Sequence, residues 1–249
     1  HKYGLRDYRG GGRSSARETA ARVAGGAIAK LMLKELGVSI QSGLCEVDGI
    51  KGDVQDFEYA KSSKMYALDP NKEAAQEAAI LTAKEKHDSV GGVVLTTATG
   101  VPIGLGEPLY YKLDAVLADA MMGINAAKAV EIGDGVASTH LKGSQNNDEI
   151  TLEGFTSNHS VGMLVCISNG DMIVVKTHFK PTPSIFQEQQ TITTNNEEVK
   201  CNLKGRHDPC VAIRGAVVCE AMMALTLADM ALLNMGKKMD HLTTLYKDN

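Results

Sequence analysis

The residues best equipped for chemistry open the chain. Arg9 to Glu18 reads RGGGRSSARE, three glycines between two arginines with two serines after them. Glycine admits positive φ and lets a ligand approach the main chain. Arginine presents a fixed fork of donors that matches phosphate or carboxylate oxygens. Ser15 and Glu18 have the spacing of a capping box, which predicts a helix from Ala16. Its first amides and its positive dipole end would face the same place as Arg9, Arg13, Ser14 and Ser15, a place suited to an anion. The competing reading is a solvated turn that happens to carry arginines, since a glycine-rich turn alone has little specificity.

Two further stretches share this character. Lys180, Pro181, Thr182, Pro183 and Ser184 form KPTPS, and Arg206 to Asp208 lies within GRHDPC. Together with Arg13 they supply Lys180 and Arg206 as positive groups beside Ser and Thr hydroxyls, which implies a phosphorylated or multiply anionic ligand. Each arginine taken singly is also explained by a surface ion pair, so the anion reading depends on the three loops converging. Asp208, followed by Pro209, reads either as a turn or N-cap aspartate or as a carboxylate managing a proton beside a ligand. His159, within SNHS, reads as structural. No HExxH, Walker, dinucleotide GxGxxG or nucleophile-elbow pattern occurs, and no metal site is expected.

The elements that must position these residues follow from periodicity. Ala16 to Leu36 is small or apolar almost all round, and so is Val217 to Met235, which predicts two helices buried on every face. The Gly25–Gly26 pair predicts close approach to a neighbouring backbone. Strands are predicted over Val38–Leu44, Val90–Ala98 and Val130–Ile132. One hairpin is predicted from Met163–Ser168 and Asp171–Phe179 around Asn169-Gly170, and a second around Asn195-Asn196. A surface helix is predicted from Asp69-Pro70 through about Glu85, and another helix, with Leu113, Val116, Leu117, Ala120 and Met121 at helical spacing, from Pro108 to near Gly123. Gly143 to Asp148 reads as a polar loop. The pattern predicts an α+β fold, helices sandwiched between antiparallel sheets, in a single domain over 1–249.

Composition excludes several classes. The chain has 249 residues, 43% hydrophobic and 22% charged, with a net charge of −4. No basic run and no Trp occur, which argues against nucleic acid as a partner. Five cysteines, an odd number without CxxC spacing, predict reduced thiols in a cytoplasmic protein rather than a disulfide framework. Glu220 and Asp229 within the last apolar stretch predict a core helix rather than a membrane span.

Several stretches together resemble the chorismate synthase family. They are Lys2 to Lys30, GLGEP at Gly104 to Pro108, MGINAAKAVEIGDG at Met122 to Gly135, FKPTPSI at Phe179 to Ile185, and Gly205 to Asp229. The resemblance implies a β–α–β sandwich and a homotetramer. It implies a lyase that converts 5-enolpyruvylshikimate 3-phosphate to chorismate and phosphate by 1,4-anti elimination, with reduced FMN as cofactor. The electrons come from NADPH or from a separate flavin reductase, and the sequence leaves that choice open. The implied FMN contacts are Arg13, Ser14, Ser15, Asn125, Ala126, Val165, Lys180 to Ser184 and Arg206. Arg13 and Arg206 also reach the substrate, and Asp208 handles a proton at the flavin. Val165-Cys166 stands where the family has a glycine pair. Two motifs of the family, of GESHG and RPxHAD type, each carry a histidine acting as general acid. Neither is in this sequence, which predicts that the N-terminal part of the family domain is absent. The alternative is a fragment that binds FMN or phosphate without turnover.

Overall fold

The computed structural model describes residues 2–5, 7, 9–203, 205 and 207–247. The glycine-rich opening forms two 3-10 turns, Gly12–Ser14 and Ala16–Glu18, ahead of helix α1 (Thr19–Glu35). Strands β1 (Ser39–Val47) and β2 (Ile50–Lys51) follow, then helices α2 (Phe57–Ser62) and α3 (Glu73–Glu85). Strand β3 (Gly92–Thr99), helix α4 (Leu113–Met122) and strand β4 (Ala127–Ile132) come next. A 3-10 turn over Gly135–His140 and a single helical turn α5 (Gly143–Asn146) precede two short ribbons. These are β5 (Ile150–Thr151) with β6 (Gly154–Phe155), and β7 (Met163–Leu164) with β8 (Ile167–Ser168). Strand β9 (Ile173–Phe179), the β10 (Gln189–Ile192) and β11 (Glu198–Cys201) hairpin, and helices α6 (Ala212–Met235) and α7 (Met239–Lys247) complete the chain.

The long strands form one antiparallel sheet in the order β2-β1-β3-β9-β4. Along β9 every second residue is buried, from Ile173 through Val175 and Thr177 to Phe179, the period of a strand with one face on a core. Helix α6 lies on that face, and Gly215 within it faces the Phe179 ring. Helix α1 packs on α6. A Cβ at Gly26 would stand 2.6 Å from the Cα of Ala221, so the expected close approach is real at Gly26 and fixes where the two helices meet. On the other side of the sheet, Leu95 packs with Ala60 of α2 and Leu68. An antiparallel sheet carrying apolar helices is the α+β arrangement that the pattern predicts.

Four expectations need correction. Helix α1 is not buried on every face: Ile28 and Leu31 are 71% and 67% exposed, because they lie on the side of the helix turned away from α6. The other strands among those residues form two-residue and four-residue ribbons rather than a second broad sheet. The Asn169-Gly170 hairpin does not form. The turn lies at Val165-Cys166, between β7 and β8, while β9 pairs with β3 and β4. The helix predicted from Pro108 starts at Leu113, because Tyr110 and Tyr111 adopt φ of 49° and 46°, which a right-handed helix excludes.

Smaller differences follow the same logic. The capping box is not made: the Ser15 hydroxyl accepts from the Arg17 amide, and Glu18 pairs with Arg22 instead. Helix α6 begins five residues before the predicted Val217, the 143–146 stretch is a helical turn, and α7 was not expected. Helix α6 is long and apolar enough to cross a membrane, yet more than half of that stretch is buried within the fold, as the core-helix reading predicts. All five cysteines are free. Burial pushes the Cys219 thiol up to about 12 and the Cys45 thiol up to about 11.

Candidate functional site

The site is built around the C-terminal end of α4. Gly123 closes that helix, and its carbonyl accepts from Arg22 Nη1 at 3.2 Å. The same guanidinium pairs with Glu18, the last residue of the 3-10 turn before α1, at 2.9 Å. Two residues beyond Gly123, Asn125 Nδ2 donates to the Ser14 carbonyl at 3.1 Å, across 111 positions of sequence. Ala126 takes a left-handed backbone, φ 74°, and its carbonyl accepts the Lys180 amide at 3.0 Å. The glycine-rich turn, the Asn125-Ala126 step and the KPTPS loop are therefore tied together, the first pair by the Asn125 side chain and the second by main-chain groups. Arg13 and Lys180, the cations of the first and third segments, have no ion-pair or side-chain hydrogen-bond partner among the described residues. Arg9 is neutralised by Asp7 at 3.0 Å and leaves the cationic set.

The rest of KPTPS is clasped by the segment just before β3. The Ser89 hydroxyl donates to the Thr182 carbonyl at 2.7 Å. Gly91 sits so close that a Cβ there would meet the Phe179 carbonyl at 2.6 Å and the Pro181 ring at 3.4 Å. The Val90 amide donates to the Pro209 carbonyl at 2.8 Å, which brings the loop holding Asp208 to the same clasp. Phe186, just after KPTPS, stacks tilted on His207 with ring centroids 5.5 Å apart, and its amide donates to the His87 carbonyl. Hydrogen bonds link the glycine-rich turn to KPTPS through Asn125-Ala126, and KPTPS to the loop holding Asp208 through residues 87–91.

Asp208 is not a helix cap, since α6 starts at Ala212 with Val211 before it. Its Oδ1 lies 3.2 Å from Arg214 Nη2, an ion pair that aims the carboxylate from the first turn of α6. Arg206 lies outside the described residues. Val165 is placed differently from the other predicted residues. Its turn neighbours the N-terminal end of α4, where the Cys166 carbonyl accepts the Leu113 amide at 2.9 Å. Helix α4 has ten residues, so that end lies about 15 Å from Asn125 along the axis.

Sequence reasoning missed the residues that do the tying. Arg22 reads as one charge on an apolar helix, and Ser89 as an ordinary polar residue. The signal that could have pointed to the clasp is the Gly91-Gly92 pair at the mouth of a strand, where a missing side chain usually means close backbone approach. His159 is structural as read. Its Nδ1 lies 2.6 Å from Asp134, and its amide donates to Asp148.

An antiparallel sheet carrying apolar helices, with distant loops tied together at one end of α4, defines an α+β protein. Comparison with known proteins makes the class specific. The family model described as Chorismate synthase matches residues 1–232. A chorismate synthase of Sulfurovum sp. (strain NBC37-1) is 89% identical over 246 residues, covering 99% of this chain and 69% of that protein. One from Sulfurimonas denitrificans is 70% identical over 247 residues, with the same shares. A crystal structure of chorismate synthase matches with TM-score 0.76 at 32% identity, covering 94% of this chain and 69% of that one. The chain belongs to the chorismate synthase family.

Proposed function

We propose that the chain is a lyase that forms chorismate and phosphate from 5-enolpyruvylshikimate 3-phosphate by 1,4-anti elimination, in the cytoplasm and as a homotetramer. The cofactor in this reading is reduced FMN, kept reduced by NADPH or by a separate reductase. The observation that carries it is the hydrogen-bonded junction of Ser14, Asn125, Ala126 and Lys180, which ties together the backbone of two segments whose cations, Arg13 and Lys180, have no partner among the described residues.

The donor chemistry suits a phosphorylated flavin. Two cations lack partners among the described residues, and Gly10 and Gly12 leave open space where a Cβ would stand. Arg13, Ser14, Ser15, Asn125, Ala126, Lys180 to Ser184 and Arg206 would hold the cofactor, with Val165 the outlying member. In that place a bound reduced flavin would supply electron density to the substrate. Arg13 and Arg206 hold the substrate's anionic groups by bidentate contact. Asp208 manages a proton from a carboxylate whose direction Arg214 sets.

The test is chorismate formation with chemically reduced FMN, alongside flavin titration. Asp208→Ala is expected to lower turnover by at least a hundredfold while FMN affinity changes less than threefold. Equal loss of both would make Asp208 a loop-shaping residue. Flavin binding without any turnover by the unaltered chain would leave the binding role and remove the lyase.

A further inference from the structure

The segment between α3 and β3 is pinned at both ends. At the α3 end the Asp88 amide donates to the Ala83 carbonyl at 2.8 Å, and His87 takes the left-handed backbone, φ 58°, that closes a helix. At the β3 end Gly92 pairs with Val47 on one side and Phe179 on the other, and the Gly91 carbonyl accepts the Asp48 amide at 3.2 Å. Residues 86–91 are thus strung between a helix and the middle strand of the sheet, with little freedom to follow what they touch.

They touch two loops of the candidate site. In KPTPS the Thr182 carbonyl accepts the Ser89 hydroxyl at 2.7 Å. Just after KPTPS the Phe186 amide donates to the His87 carbonyl, and Gln187 Nε2 to the Lys86 carbonyl. In the loop holding Asp208, the Pro209 carbonyl accepts the Val90 amide at 2.8 Å. Ser89 and Val90 are consecutive, with Cα atoms about 3.8 Å apart, so one peptide unit holds both loops at a set spacing. KPTPS has little of its own to fix its shape. Its two prolines have no amide, and the amides of Thr182 and Ser184 make no hydrogen bond among the described residues. The other side-chain bond to the loop, from Gln189 to the Pro183 carbonyl, is long at 3.5 Å and comes from the same stretch of chain. The Ser89 hydroxyl is what ties the middle of KPTPS to the sheet.

We infer that Ser89 is a positioning residue of the proposed reaction: its hydroxyl sets KPTPS against the Asp208 loop, so that what KPTPS holds stays in register with the carboxylate. The inference rests on the reading of KPTPS as a cofactor loop and of Asp208 as the group that manages a proton. Ser89 acts through the Thr182 carbonyl and not on a ligand. The backbone of 86–91 is held by Ala83, by Asp48 and by the β3 pairings without the hydroxyl, so losing the hydroxyl frees the loop and not the fold.

The experiment compares Ser89→Ala and Ser89→Thr with the unaltered chain, by FMN titration and by chorismate formation with chemically reduced FMN, each with and without Asp208→Ala. Ser89→Ala is expected to weaken FMN binding at least threefold and to lower turnover at saturating FMN and substrate at least fivefold. KM for the substrate is expected to move less than twofold, and the thermal midpoint to stay where it is. Ser89→Thr keeps the hydroxyl and is expected to stay within twofold of the unaltered chain throughout. Beside Asp208→Ala, Ser89→Ala is expected to cost less than a further twofold in turnover, because the group it positions is gone. Unchanged FMN affinity and turnover in Ser89→Ala would overturn the inference and leave the lyase reading intact. So would a threonine variant no better than alanine, or a fivefold loss that persists beside Asp208→Ala. FMN binding without turnover by the unaltered chain would remove the lyase reading, and the inference then stands or falls on whether Ser89→Ala weakens FMN and Ser89→Thr does not. No FMN binding by the unaltered chain would overturn both.

Discussion

The two ends of α4 use one construction for opposite purposes. At each end, irregular segments distant in sequence are joined by hydrogen bonds to main-chain groups, and non-glycine residues take left-handed backbone: Ala126 at one end, Tyr110, Tyr111, Val165 and Cys166 at the other. At the C-terminal end the groups left over are cations, Arg13 and Lys180. At the N-terminal end they are large apolar side chains. Hydrogen bonding fixes the backbone in both places, and the side chains it leaves unpartnered decide what each place can take. A small anion suits the first.

The largest effect is expected at the polar end. Arg22 joins α1 and α4 through Glu18 and the Gly123 carbonyl, and it is about two-thirds buried. Arg22→Ala is expected to lower stability by about 2 kcal/mol, read as a shift of the denaturant midpoint at unchanged slope. A loss below about 0.5 kcal/mol would mean that the polar junction stands without it.

Asp148 belongs to neither end and serves as a reference. Burial by itself would raise its carboxyl. The Ser157 hydroxyl and the Ser160 and His159 amides outweigh that and hold it at about 2. A carboxyl held below its ordinary value stabilises the fold above that value, near 3.8, and the contribution is lost as pH falls toward 2. The expected loss is about 1–2 kcal/mol between pH 4 and 2, seen as faster amide exchange at His159 and Ser160. Asp148→Asn is expected to remove that pH dependence, and an unchanged profile would assign it to other carboxylates.

The smallest effect is expected at the apolar end. Val165→Gly relieves a left-handed valine and is expected to raise stability by up to about 1 kcal/mol. The thermal midpoint of the separated chain checks this, and a fall would show that the turn is not strained.

Much of this was legible in the sequence, and the failures have physical causes. Helices α1 and α6 read alike, small and apolar all round. Yet α6 lies between a sheet and a helix, while α1 leaves Ile28 and Leu31 exposed on the side turned from α6, and composition does not encode a neighbour. The Asn169-Gly170 pair carries a strong hairpin signal. Its groups instead make local bonds, the Asn169 amide to Gly162 and the Asp171 amide to the Asn169 side chain, while β9 leaves to pair with β3. The real turn at Val165-Cys166 was unreadable because valine almost never adopts that backbone. At the candidate site, residue types and local turns named Arg13, Lys180 and Asp208, and the family resemblance named Asn125. The bonds that gather them span from 54 to more than 100 positions and belong to the tertiary fold.

The central claim is that the junction of Ser14, Asn125, Ala126 and Lys180 gathers a phosphate-binding pair of cations. It is tested most directly by titrating the chain with FMN and with riboflavin, which differ by one phosphate, and repeating both with Arg13→Ala combined with Lys180→Ala. FMN is expected to bind at least tenfold more tightly than riboflavin to the unaltered chain, and the double variant is expected to bind both alike. Equal affinity of the unaltered chain for the two flavins, or a preference for FMN that survives loss of both cations, would contradict it.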